Sequence, residues 1–147
     1  MKRFKYKLDT VLKLRDFEKK KIELELGHLN KKIKSTEDLI EEIYSQLKLT
    51  QEEVNRGGKD RRLDSSLIKY FPQFLKAKNQ ELKNEKEKLS SLLKERDVII
   101  ESLNVASGKV KILEKDKEKK RLNFLKDEMK KDESSREDLW NILRGSA

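Results

Sequence analysis

From Leu8 onward the chain repeats every seven residues, and few folds are open to such a sequence. One series runs Leu8, Arg15, Ile22, Leu29, Thr36, Ile43, Thr50; a second, four residues on, runs Leu12, Lys19, Leu26, Ile33, Ile40, Leu47, Val54. Ten of these fourteen positions are apolar, and the residues between them are mostly charged. That spacing is the a/d seam of a coiled coil, with the second series at a and the first at d. It spans about 47 residues, roughly 70 Å of helix at 1.5 Å per residue. Asn55-Arg56-Gly57-Gly58 then reads as a helix stop.

A second repeat follows. Its a series is Leu75, Leu82, Leu89, Arg96, Leu103, Val110, Lys117, Phe124, and its d series is Lys78, Glu85, Leu92, Ile99, Ala106, Leu113, Lys120, Asp127. Beyond Lys117 the frame weakens and shifts towards Leu122, Leu125 and Met129, and a last amphipathic stretch covers 139–143. The polar segment 59–66 reads as a connector, with Asp64 or Ser65 as the N-cap of the helix entering Leu67. Pro72 removes a backbone hydrogen bond, so one turn of helix leading into a kink or interruption is expected there.

Two long stripes joined by so short a connector fold back on each other. The expected fold is all-α: a long two-helix antiparallel coiled coil, or helical hairpin, with a C-terminal helical overhang. It is a single domain over 1–147, with helix 1 over about 5–55, a connector over about 56–65, and helix 2 over about 66–140. One antiparallel register faces Leu12 with Leu113, Ile22 with Leu103, Ile33 with Leu92 and Ile43 with Leu82. The register one heptad away faces Ile22 with Arg96, Ile33 with Glu85 and Ile40 with Lys78. The first is preferred, although it leaves Leu29 opposite Arg96 and Ile40 opposite Glu85. A seam satisfied in this way predicts a monomer.

Composition agrees. Ala, Glu, Lys, Leu and Arg make up 80 of the 147 residues, with one Pro and five Gly, a balance typical of long helices rather than sheets. Without Cys there is no disulfide, and with His28 as the only His a metal site is not expected. No apolar run reaches the roughly 20 residues of a membrane span, and the basic start lacks the apolar stretch of a signal peptide. A cytoplasmic location is therefore expected.

The formal net charge of +9 is unevenly placed. Residues 1–21 carry nine Lys and Arg against three acids, and 111–131 carry nine against five. The preferred register lays these segments side by side as one basic tip. Such a tip suits nucleic acid, an anionic membrane or an acidic protein surface. Interspersed Glu114, Asp116 and Glu118 disfavour nucleic acid, and the absence of a broad apolar face disfavours a membrane. Protein docking is the best of the three.

Enzyme chemistry finds little to stand on. Gly57-Gly58 lacks the Lys-Ser/Thr of a phosphate loop. His28 lies on the flank of the seam, and Glu41-Glu42 and Glu52-Glu53 read as solvated helix faces. The chain is expected to be neither an enzyme nor a cofactor binder. Of the nine aromatic residues, Tyr70, Phe71 and Phe74 cluster beside the turn, where they either plug the hairpin end or remain exposed as protein contacts. Arg15, Lys19 and Arg96 at seam positions either fix the register or reach a partner.

The block Phe4-Lys5-Tyr6-Lys7-Leu8-Asp9-Thr10-Val11-Leu12-Lys13-Leu14-Arg15-Asp16 resembles the opening of the FliJ family of the flagellar type III export apparatus. Phe71-Pro72-Gln73-Phe74 is similar to that family's aromatic–Gln–Gln–Phe stretch, with Pro72 a departure. The run from Lys119 to Met129 resembles its basic C-terminal helix, and Arg136-Glu137-Asp138-Leu139 its terminal signature. The resemblance implies a stalk similar to that of the rotary ATP synthase, whose terminal end enters the pore of the hexameric export ATPase FliI. It also implies contacts with the export gate protein FlhA and with export chaperones. The protein would then sit in the cytoplasm, peripheral to the inner membrane at the flagellar base, in the service of motility. By position, the resemblance assigns Lys13, Arg15, Lys19, Lys20, Lys117, Lys120 and Arg121 to the ATPase end, and Tyr44, Tyr70, Phe71, Phe74 and Lys78 to the gate. Lys78 occupies a seam d position, so its role requires a loose seam near the turn. The competing function, from a different class, is a basic coiled-coil protein that binds nucleic acid.

Overall fold

The a/d stripes do form two long helices packed against each other. A computed structural model describes residues 2–60 and 65–145, and all regular structure among them is helical: α1 (Asp9–Asp60) and α2 (Ser65–Gly145). The fold is an all-α helical hairpin. On α1 every member of the two series from Leu12 to Val54 is buried or half-buried, and on α2 the same holds from Lys78 to Lys117. Leu8, Leu75, Lys120 and Asp127 are the exposed exceptions at the ends of the repeats.

Three boundaries differ from the expected ones. Helix 1 begins at Asp9 rather than near residue 5, because Phe4 and Tyr6 are tied to α2 and hold the lead-in out of helical geometry. The Leu12 N–H donates to the Leu8 carbonyl as the first helical bond, and Asp9 places a carboxylate at the positive helix end. At the other end α1 runs through Gly57-Gly58 to Asp60. Glycine costs roughly 1 kcal/mol in a helix interior but does not compel a stop, and Gly57 is buried. Finally, α2 is helical without interruption across Pro72 and extends to Gly145. Pro72 and Ile68, four residues before it, are both exposed, so water can take the carbonyl that the proline leaves unpaired. The expected connector falls partly on 61–64, outside the described residues, as does Asp64, whereas Ser65 is the first residue of α2.

The backbone groups into two units: residues 1–22 with 102–147, and residues 23–101. In the first unit Tyr6, Ala106 and Val110 are buried; in the second, Leu29, Ile33, Thr36 and Ile43 are, with Ile43 only 1% exposed. The register can be read in the first unit, where Lys117 meets Asp9. The preferred register predicts Asp116 opposite Asp9, one residue away. The alternative would have placed Lys109 there, about 12 Å of helix from the lysine that Asp9 meets. Polar groups in the second seam are incompletely satisfied. The Thr36 hydroxyl donates to the Lys32 carbonyl at 2.9 Å, whereas Glu85 Oε2 and Arg96 Nε are buried without a hydrogen-bond partner.

Candidate docking surfaces

In the first unit, the lead-in 2–8 is clasped onto α2. The Tyr6 hydroxyl donates to Asp116 at 2.6 Å, and Phe4 packs on Phe124 with centroids 5.6 Å apart. Lys120 lies over the Tyr6 ring at 5.7 Å and also pairs with Asp116 at 3.3 Å. One turn on, Lys117 donates to Asp9 at 3.1 Å, and Lys13 joins the same carboxylate at 3.3 Å. These contacts shift the titrations of the clasp. Donation to a carboxylate favours the neutral phenol, so Tyr6 is pushed up to about 12. Asp116 is lowered, chiefly by the Tyr6 hydrogen bond and then by Lys120. Asp9 is lowered by its hydrogen bonds from Lys117 and Lys13.

All seven cations assigned to the ATPase end lie in this unit, but they are not bare. Arg15 pairs with Glu18 at 3.2 Å, Lys20 with Asp16 at 2.9 Å, and Arg121 with Glu118 at 2.7 Å. Arg121 holds the Glu118 carboxyl below its ordinary range and is itself raised by it. Lys19 is half-buried at its seam position and is not without interactions. The cations that remain unpaired among the described residues include Arg3, Lys5 and Lys7 of the lead-in. They are exposed, alternating with the inward Phe4 and Tyr6. Sequence reasoning passed over them, although the strict aromatic/basic alternation of 3–7 was the available signal.

The charge partition is sharper than the sequence segments suggested. The first unit holds 21 Lys and Arg against 12 Asp and Glu, while the second holds 16 of each. The whole excess of +9 therefore belongs to the first.

The second unit carries the aromatic candidates. Phe71, Phe74 and Lys78 follow at spacings of three and four, so they share one face of α2. Phe71 and Phe74 are half-buried, and the Lys78 ammonium lies 5.9 Å from the Phe74 centroid while pairing with Glu81 at 3.2 Å. Tyr70 is exposed beside them. Tyr44, on α1, is exposed, with the Lys86 ammonium over its ring at 5.4 Å. Lys86 went unnoticed in the sequence because it occupies no seam position.

Among the described residues no group of three or more His, Cys, Asp or Glu could hold a metal ion, and no helix is long and apolar enough to cross a membrane. No family model, curated protein or solved structure matches the chain.

Proposed function

We propose that this chain is a non-enzymatic stalk and adaptor of the flagellar protein export apparatus, whose charged terminal unit docks into the export ATPase ring. The observation that carries the reading is the confinement of the whole +9 excess to residues 1–22 and 102–147. A cationic surface braced by internal ion pairs favours an acidic protein socket over a polyanion, because Asp9, Asp16, Glu18, Asp116 and Glu118 are interleaved with the cations. In the neutral second unit the Phe71, Phe74 and Lys78 face, with Tyr70 beside it, suits contact with the export gate, and export chaperones are further partners. The location that goes with this reading is the cytoplasmic face of the flagellar base.

ATP hydrolysis by the cognate export ATPase, measured with and without the full chain, tests the proposal. Stimulation that weakens on charge reversal at the paired Arg15 and Arg121 is expected. No stimulation, together with steeply salt-dependent binding to duplex DNA, would favour nucleic acid as the partner instead.

A further inference from the structure

The end of α2 carries a second seven-residue repeat, out of frame with the first. Leu122, Leu125 and Met129 are followed at the same alternation of three and four by Asp132, Arg136 and Leu139, and then by Leu143. Phe124, the last apolar member of the a series of α2, is turned to Phe4, so the new stripe lies on a different side of the helix. It is uncovered: Leu122 and Leu125 are nearly half exposed, Met129 is 69% and Leu139 59% exposed, and every residue from 129 to 145 is exposed. A single helix of this length is marginal in water unless an apolar face is packed.

We infer that this overhang pairs antiparallel with the overhang of a second copy of the chain. Its two polar seam residues select both partner and direction. A parallel pairing would set Asp132 against Asp132 and Arg136 against Arg136, like against like. In an antiparallel coiled coil a faces d, and the register that seats Met129 on the second copy's Leu139 puts Asp132 opposite the second copy's Arg136. By symmetry the pair forms twice, and Leu125 meets Leu143 at each end. Within one chain Asp132 and Arg136, although four residues apart on one face, form no ion pair among the described residues, so both charges are available. About six large side chains per copy, each burying on the order of 100 Å², would remove roughly 1,200 Å² from water, just above the lower bound for a specific interface. The association is therefore reversible and concentration-dependent. It uses neither the internal seam nor the cations of the proposed ATPase end.

Sedimentation velocity on the full-length chain at high micromolar concentration tests this. The wild-type chain is expected to be a dimer that dissociates on dilution. Asp132→Arg and Arg136→Asp each place like charges in the seam and weaken association about a hundredfold. An equimolar mixture of the two variants restores it, and so does the double variant D132R/R136D on its own. Circular dichroism confirms that each variant keeps its helices. A wild-type monomer at these concentrations, single variants that dimerise like wild type, or a mixture that stays monomeric would each overturn the inference.

Discussion

The two units are built from the same repeat but are held differently. In residues 23–101 the helices meet through Leu29, Ile33 and Ile43, the charges balance, and the polar intruders Glu85 and Arg96 each leave one buried atom unpaired. In residues 1–22 with 102–147 the described buried side chains are Tyr6, Ala106 and Val110, and polar bonds tie the lead-in and α1 to α2: Tyr6 to Asp116 and Lys117 to Asp9. Apolar burial is non-directional and insensitive to pH, whereas the clasp depends on the protonation of each partner. The contrast separates a seam that supplies stability from a terminal unit whose charges are kept in a fixed arrangement at its surface.

The largest effect should come from the apolar seam. Ile43→Ala removes a fully buried side chain and should cost about 2 to 4 kcal/mol, read as a lower denaturant midpoint. An equivalent loss from Lys13→Ala, whose side chain is 79% exposed, would dissolve the distinction between the units. Next in size, and opposite in sign, Arg96→Met should raise stability by about 1 to 2 kcal/mol, because it replaces a half-buried group that has one buried, unpaired nitrogen by an apolar one. A loss of stability would mean that Arg96 makes a favourable contact that outweighs its unpaired nitrogen.

The clasp should respond to pH at both ends. Asp9 and Asp116 are lowered in the folded chain, so what they contribute is present above their ordinary value of 3.8 and disappears as pH falls through the lowered values. Tyr6 is raised, so its contribution is complete below its ordinary value of 10.0 and is lost as pH rises through about 12. Ultraviolet titration should therefore show a last tyrosine component near 12 that is absent from Tyr6→Phe. Its persistence in that variant would remove Tyr6 from the clasp. The smallest effect is expected from Lys20→Ala, whose pair with Asp16 is an exposed i,i+4 contact: a change below about 0.5 kcal/mol, measured by thermal unfolding.

The seam was legible because period seven is a strong signal wherever apolar residues alternate with charge, and the pairing of Asp9 with Lys117 falls one residue from the register that apolar matching selects. Helix ends were less legible, since local cost and tertiary gain compete there. Gly57-Gly58 and Pro72 each weaken a helix by a local amount that the packed or solvated surroundings absorb. The lead-in was misread for the opposite reason: Phe4 and Tyr6 favour a place on α2 over a helical turn of their own, a gain visible only once α2 is beside them. Ion pairing of five of the seven assigned cations was written in the i,i+3 and i,i+4 acids next to Lys13, Arg15, Lys20, Lys120 and Arg121, yet net charge alone concealed it. It moves the weight of the surface towards Arg3, Lys5 and Lys7.

That shift defines the most direct test of the stalk assignment: hydrolysis by the export ATPase, compared for three variants of the full chain. Charge reversal at Arg3, Lys5 and Lys7 should abolish stimulation, reversal at the paired Lys13 and Lys20 should reduce it less, and Phe74→Ala in the neutral unit should leave it intact. Equal stimulation by all three, or loss confined to Phe74→Ala, would contradict docking through the charged unit.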